Sequence, residues 1–389
     1  MNKLIQELCP NGVEYRTLGE VALDIFRGAG IKREEVTEAG MPCVRYGEIY
    51  TTYDIWFDKC VSHTSPDVVT KPKFFEYGDI LFAITGENVE DIAKSIAYVG
   101  CEKCLAGGDI VVLKHRQNPK YLSYVLSTEK ARKQKSQGKV KSKVVHSSVP
   151  AIASIEIPVP PLPVQAEIVR ILDTFTALTA ELTAELTARR KQYEYYRDRL
   201  LKFDDLPGEV DCVDCSGSVS WVKLGEVCTF KYGKGNTIPK KQGDYPVYGC
   251  NGIVGSTDVY NSEDSAIIGH IGSAGFVNWG AGKHFVTYNG TICQANRSRI
   301  LSKYLYYSLV NLHLERLIKG NQPYLSYGDY SNLPIPLPPL AEQRRIVSIL
   351  DRFDALCNDL TQGLPAEIEA RRKQYEFYRD RLLDFQRKE

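Results

Sequence analysis

Eleven cysteines and six histidines are the residues of this 389-residue chain best suited to hold a metal or act as nucleophiles. Cys101 and Cys104 form one Cys-x-x-Cys pair, and Cys212 and Cys215 form another. A zinc site built from two such pairs usually brings them within about 15–20 residues. Here Cys104 and Cys212 lie far apart, and the second pair sits in an acidic stretch, so a structural zinc is not expected. Neither pair follows a strand at a helix start, as a thioredoxin-like redox pair would. His63, His115, His146, His270, His284 and His313 show no His-Glu-x-x-His spacing. Gly269, Gly272 and Gly275 give Gly-x-x-Gly-x-x-Gly without a strand–helix context, which reads as a turn or close backbone packing. There is no Walker A motif. Pro160-Pro161 and Pro338-Pro339 are each followed by Leu, so the Asn/Asp-Pro-Pro-aromatic motif of an amino-group methyltransferase is missing. The expectation is a chain with no catalytic residues, no metal and no cofactor of its own.

Positive charge is the chemistry that remains. Between Lys130 and Lys143 stand Lys130, Arg132, Lys133, Lys135, Lys139, Lys141 and Lys143, with no acid among them, and Ser136 and Gly138 suggest a loop at the centre. Such a run suits a phosphate backbone, where each neutralised phosphate releases counterion. The plainer alternative is a solvated loop. Further on, Lys231, Lys234, Lys240 and Lys241 interleave with Tyr232, Gly233 and Gly235, and Arg297, Arg299 and Lys319 follow. Glycine lets backbone approach a ligand, and lysine supplies charge.

These residues must be carried on something, and the chain carries them twice. Ile157–Leu178 (IPVPPLPVQAEIVRILDTFTAL) aligns without a gap on Ile335–Leu356 (IPLPPLAEQRRIVSILDRFDAL). Ala188–Leu201 (ARRKQYEYYRDRLL) and Ala370–Leu383 (ARRKQYEFYRDRLL) differ at one position. Weaker echoes join Val13–Val21 to Val219–Val227 and Lys120-Tyr121-Leu122 to Lys303-Tyr304-Leu305.

The shared blocks predict helices. Ile168, Ile171, Phe175, Leu178 and Leu182 step by three and four, the seam of a coiled coil. Pro163 suits the helix start, and some 39 residues span roughly 58 Å. The second copy runs Ile346, Ile349, Phe353, Leu356 and Leu360, is interrupted at Gly363 and Pro365, and resumes through Ile368, Tyr375, Tyr378 and Leu382. A helix of this length with one apolar seam needs a partner. Antiparallel packing of the two is expected; the alternative is that each lies on its own globule.

The expected parts are a globule at 1–154, a helix at 155–203, a linker at 204–215, a second globule at 216–332 and a second helical region at 333–389. In the first globule, Gly78–Ile84 and Asp109–Leu113 read as strands and Tyr121–Lys135 as a short helix. In the second, Ser265–Ile268 reads as a strand and Lys303–Ile318 as a helix. The fold class is α+β: two mixed α/β globules joined by two long helices in an antiparallel coiled coil, with pseudo-two-fold internal repetition. A net charge of +1 taken alone argues against nucleic acid, but it averages unlike parts. The globules net about +2 and +4, the helical regions balance, and the linker DDLPGEVDCVDC holds five acids. Thinly spread, odd-numbered thiols and an opening without an apolar leader suggest a reduced, cytoplasmic setting.

The stretch Leu337–Leu356, with its Pro338-Pro339-Leu340 core, and its echo at Pro160–Leu178 resemble the hallmark of type I restriction–modification specificity subunits. The resemblance covers essentially the whole chain. It implies a non-catalytic reader of double-stranded DNA, in which each globule recognises half of a bipartite asymmetric site. It also implies helices that set the spacing and dock two methyltransferase subunits, with restriction subunits completing the complex. S-adenosylmethionine, ATP and Mg would reside on those partners. Arg45, Lys139, Asn251, Gln294, Arg297, Asn321 and Gln322 are base-edge candidates by residue type. The seam residues Ile168, Ile171, Phe175, Leu178, Ile346, Ile349, Phe353 and Leu356 are candidates for partner docking. The rival reading is a coiled-coil adaptor whose globules bind protein.

Overall fold

The computed structural model describes residues 2–65, 67, 69, 71–89, 91–136, 139–141, 144–203, 219–235, 242–318, 323–359 and 361–388. The linker at 204–215, with Cys212 and Cys215, lies outside them. The chain falls into two units: Met1–Glu181 with Ile368–Glu389, and Leu182–Glu367. No helix among the described residues is long and apolar enough to cross a membrane.

The first unit holds a five-stranded sheet in the order Ala22–Arg27, Ile110–His115, Ile80–Ala83, Ser95–Tyr98, Trp56–Phe57. A second five-stranded sheet runs Val36–Thr37, Ser62–Thr64, Met41–Val44, Cys104–Ala106, Phe74–Phe75. Successive strand residues face opposite sides. Leu81, Ile96 and Val112 therefore join Val44, Ile49 and Phe75 in one core, while Ile80, Phe82, Val111 and Leu113 join helical residues in another. Burial on both faces is why Ile80–Ala83 is an unbroken apolar run. The end of the chain closes this unit: the Val13 amide donates to the Gln386 carbonyl at 2.8 Å and Lys388 returns a bond to Val13 at 3.0 Å.

The second unit is built on a six-stranded sheet ordered Cys228–Tyr232, Gly290–Ala295, Ser262–Gly269, Val277–Val286, Tyr245–Gly249, Gly252–Thr257. Helix Ser302–Asn311 packs on it.

One clamp recurs in both units. Helix Pro119–Leu126 is tied to the start of Leu162–Leu201 much as Ser302–Asn311 is tied to the start of Leu340–Asn358. The Tyr121 hydroxyl donates to the Pro158 carbonyl at 3.1 Å, and Tyr304 to Pro336 at 3.0 Å. Tyr124 and Lys120 reach the Asp173 carboxylate at 2.7 Å each. Tyr307 and Lys303 reach Asp351 at 2.5 and 3.3 Å. Buried Gln165 and Gln343 donate to Pro160 and Pro338 at 2.8 and 2.9 Å. The echo of Lys120-Tyr121 in Lys303-Tyr304 is this clamp.

Leu162–Leu201 is one helix of 40 residues. The second copy is two helices, Leu340–Asn358 and Leu364–Leu382. At the break a Cβ on Gly363 would stand 2.5 Å from the Ala355 carbonyl oxygen, which only glycine avoids. Pro365 then sits in the first turn of the last helix, where its missing N–H costs little. Phe175 stacks on Tyr378 at 5.4 Å in the first unit, and Phe353 on Tyr196 at 5.5 Å in the second. Cys357, one turn beyond Phe353, feels the charges of Arg190 and Arg189, so this pair runs antiparallel.

Several expectations need correction. Helices do pair, but both alternatives operate: Val164, Ile168 and Leu172 are buried in the core of the first globule, which Leu383 from the end of the second helical copy also enters. Tyr121–Lys135 is two helices, because Thr128 caps a new one by accepting from the Ala131 amide. Lys303–Ile318 ends as an α-helix at Asn311, and left-handed His313 (φ 49°) opens a short 3-10 turn, Leu314–Leu317. The basic run is regular on either side of its centre, with helix Glu129–Lys135 before the turn at Ser136 and strand Lys139–Lys141 after it; Gly138 lies outside the described residues.

Candidate nucleic-acid interface

The basic run does not act as one patch. Arg132 is exposed beside a cleft of about 410 Å³ that also has Lys94, Asp54 and Asp91 in its lining. Lys133 is exposed and pairs with Glu129 at 2.7 Å; Lys130 pairs with Asp384. Lys135 is a correction: it is buried, and its ammonium donates to Ser95 Oγ and the Leu126 carbonyl at 2.8 Å each. Helical spacing places it on the same inward face as buried Ala131, at the floor of that cleft, so its ammonium is engaged inside the protein and is not presented to a phosphate. Lys139 and Lys141 lie on a strand paired with Val144–His146; Lys143 lies outside the described residues.

In the second unit Lys231 and Lys234 are exposed at and just beyond the end of strand Cys228–Tyr232. Asn251 is exposed on the turn between Tyr245–Gly249 and Gly252–Thr257. Gln294 is half-buried within the sheet, opposite Thr229. Arg297 lies 3.9 Å from Asp264, and Arg299 donates to the Glu226 carbonyl at 3.1 Å. Lys240, Lys241, Lys319, Asn321 and Gln322 lie outside the described residues.

The docking seam is largely consumed inside the chain. Ile168 and Ile346 are fully buried in the cores of their units, which Leu383 and Leu201 of the opposite helical copies also enter, and this corrects their assignment as partner contacts. Phe175 and Phe353 are covered by Tyr378 and Tyr196. Ile171, Leu178 and Ile349 are half-buried; Leu356 is exposed.

Two clusters escape a reading of the sequence alone. In the first unit a cleft of about 690 Å³ is lined by Arg33, Arg45, Tyr46, Thr51, Gly108 and Asp109, among others. Arg45 is held there by buried Glu48, whose carboxylate takes Arg45 Nε and Nη2 at 3.1 Å and the Ser62 hydroxyl at 2.6 Å. In the second unit, tyrosines gather round buried His270. Tyr232, Tyr324 and Tyr288 lie 4.3, 4.8 and 5.7 Å from its ring, and Tyr327 lies 5.2 Å from Tyr232. His270 Nδ1 donates to the Leu325 carbonyl at 2.8 Å, because a carbonyl oxygen can only accept. Burial, with Tyr324 and Tyr327 nearby, raises the Tyr232 phenol. Tyr288, Tyr324 and Tyr327 are exposed. The surplus of 24 tyrosines was the signal available in the sequence. Among the described residues, no group of three or more His, Cys, Asp or Glu is placed to hold a metal ion.

Comparison with known proteins then bears on the whole chain. The family profile for the type I restriction modification DNA specificity domain matches residues 10–189 and 218–370. The chain is 35% identical over 270 residues to the EcoR124I/EcoR124II specificity subunit of Escherichia coli, covering 60% of this chain and 64% of that protein. It is 33% identical over 287 residues to a Haemophilus influenzae protein named as a type I restriction enzyme specificity subunit, covering 64% and 68%. Its fold matches the crystal structure of an S subunit from M. genitalium, with TM-score 0.62, 18% identity and 96% of each chain covered. The profile matches twice, once across each globule and the helical region after it, and the chain belongs to the type I restriction modification DNA specificity family.

Proposed function

We propose that this chain is the sequence-reading subunit of a type I restriction–modification complex, each unit recognising one half of a bipartite asymmetric DNA site. One observation carries this reading: two globules with unlike surfaces are held by the same clamp. Two unlike readers on like supports suit two unlike half-sites at fixed spacing. The chain performs no chemistry; methyltransferase and restriction subunits bring S-adenosylmethionine, ATP and Mg. Methylation mapping of a genome modified by the complex tests the reading, and it expects one motif with two defined blocks around an undefined spacer. Salt-dependent binding of duplex DNA separates it from a protein-binding adaptor.

Docking of two methyltransferase subunits is supported by which positions the repeat keeps. In the first block most exposed positions differ, such as Ala166 against Arg344, Arg170 against Ser348 and Thr174 against Arg352, while Pro161 with Pro339 and Ala177 with Ala355 match. In the second block exposed positions match: Arg190 with Arg372, Lys191 with Lys373, Tyr196 with Tyr378, Arg199 with Arg381. Tyr195 and Phe377 are both aromatic and 58% and 59% exposed. Folding does not require exposed residues to match, whereas two copies of one partner do. Tyr195→Ala and Phe377→Ala are each expected to weaken one methyltransferase copy by about 30-fold, the scale of an aromatic hot spot. Native mass spectrometry would then show complexes with a single methyltransferase; full two-copy complexes from both variants would sink the assignment.

The helix Leu162–Leu201 contains a tandem tetrapeptide, Thr179–Ala188 (TAELTAELTA). Deleting one unit shortens a helix by about 6 Å, up to roughly two base-pair rises. The expected methylation motif keeps both half-sites and changes only its spacer. An unchanged spacer would overturn the ruler role of this helix.

A further inference from the structure

We infer that a backbone corner repeated in both units is the base-reading site of each, and that its side chains set opposite preferences: guanine for the first unit, the thymine methyl of an A·T pair for the second. The inference rests on the DNA-reading function proposed above and deepens it.

The corner is defined by four backbone hydrogen bonds that recur. In the first unit Gly28 donates to Ile110 (2.8 Å), Ala29 to Ala106 (2.9 Å), Gly107 to Val44 (2.9 Å) and Ile110 to Gly107 (3.1 Å). In the second, Gly233 donates to Gly290 (2.9 Å), Lys234 to Val286 (2.9 Å), Thr287 to Tyr248 (3.0 Å) and Gly290 to Thr287 (3.0 Å). The strands beneath also correspond. Met41–Val44 runs parallel to Cys104–Ala106, and Tyr245–Gly249 runs parallel to Val277–Val286. A Cβ on Gly28 would lie 2.2 Å from the Gly107 carbonyl oxygen, and one on Gly233 2.1 Å from that of Thr287. Glycine is therefore required at the same place in both.

On this common frame the side chains share nothing. The first corner opens on the cleft with Arg33 and Arg45. The second carries Tyr232 at its strand end, Lys234 one residue past Gly233, and Tyr288 beside Thr287, with His270, Tyr324 and Tyr327 packed round them. The turn bearing Asn251 also reaches this corner, since the Cys250 carbonyl oxygen would lie 2.8 Å from a Cβ on Gly269. A constant backbone with replaced side chains is what two readers of different sequences need. The clamp residues Gln165 and Gln343 are kept, so divergence at the corner is not general drift.

Chemistry fixes the preferences. A guanidinium matches O6 and N7 of guanine with two donors. Arg45 is preorganised by Glu48, while exposed Arg33 makes no ion pair among the described residues. Tyrosine rings offer apolar faces to the thymine methyl and keep a polar edge in water.

The test uses the complex with its methyltransferase and duplexes of its own methylated motif. Replacing guanine by 7-deazaguanine in the first half-site is expected to weaken binding about tenfold. Replacing thymine by uracil in the second is expected to weaken it about fourfold, the worth of one methyl. Arg33→Ala with Arg45→Ala should erase the first sensitivity and spare the second; Tyr324→Ala with Tyr327→Ala should do the reverse. The spared half-site shows in each case that the variant is folded. Where the double arginine variant yields no complex, Arg33→Lys, which keeps charge without the two-pronged donor, takes its place. Sensitivities that persist in all variants, or a first half-site without guanine, would overturn the corner while leaving the DNA-reading function intact. An unaltered complex with no bipartite motif would overturn both.

Discussion

Lys135→Met is expected to stabilise the first unit at pH 7 and to destabilise it at pH 10, so that the two stability curves cross. Lys135 is buried with its ammonium on Ser95 Oγ and the Leu126 carbonyl, and no carboxylate pairs with it among the described residues. Burial, reinforced by the charge of Arg132, pushes its pKa down to about 7. An unfolded lysine titrates near 10.4. Between these values the unfolded chain binds more protons, so stability rises with pH through this window. Conversely, stability is lost as pH falls towards 7, and below 7 the penalty is constant. One pKa unit is worth about 1.4 kcal/mol, so the buried ammonium costs about 4 kcal/mol at pH 7 and little at pH 10. Methionine removes that cost and leaves Ser95 and Leu126 without a donor, at about 1–2 kcal/mol in sum. The net expectation is a gain of about 2 kcal/mol at pH 7 and a loss of about 1–2 kcal/mol at pH 10. Urea unfolding midpoints of both chains from pH 6 to 10 measure it. Parallel curves would show that Lys135 does not titrate in this window. DNA affinity and its salt dependence should not change, because this lysine is buried at the floor of the cleft beside Arg132 with its ammonium engaged by Ser95 and Leu126.

Lys135 also marks where sequence reading stops. Seven bases in 14 residues look like one surface, yet helical periodicity turns one of them inward, and only the position of Ala131 hinted at that. The duplicated helical plan was legible because its constraints are local: the Pro-Pro-Leu starts, three–four spacing and the Gly363 break all lie within short windows. Ile168 and Ile346 were not separable from the docking candidates because the sequence does not show how much of the seam each unit's core takes up. The candidate reading corners were not legible as clusters, although Arg45, Lys234 and Asn251 stood out singly by residue type. Tyr232, His270, Tyr288 and Tyr324 come from four separate segments, and only the sheet order brings them together. The paired glycines Gly28 and Gly233 stood in the sequence, but their equivalence depends on which carbonyl each one passes.

Gln343→Leu and Gln165→Leu test the clamp that both globules share, and they are expected to cost unequal amounts. Gln343 is fully buried; its Oε1 accepts from the Leu301 amide at 2.8 Å, and its Nε2 donates to the Arg299 and Pro338 carbonyls at 3.1 and 2.9 Å. Leucine fits the volume and leaves three backbone groups without partners. At about 1–3 kcal/mol for each buried orphan, with some relief from water, the expected loss is about 4 kcal/mol in the second unit. Gln165 is equally buried and accepts from the Asn118 amide at 3.0 Å, but its donors go to Pro160 and to the Gln117 side chain, at 2.8 and 2.7 Å. Half-buried Gln117 can turn to water, which a backbone carbonyl cannot do, so Gln165→Leu is expected to cost about 2–3 kcal/mol. Amide hydrogen exchange gives a local readout. Leu301 N–H should lose protection in Gln343→Leu and keep it in Gln165→Leu, with Asn118 N–H behaving in the opposite way. Losses under about 1 kcal/mol in both variants would mean that the Tyr–Asp half of the clamp alone holds each globule to its helix.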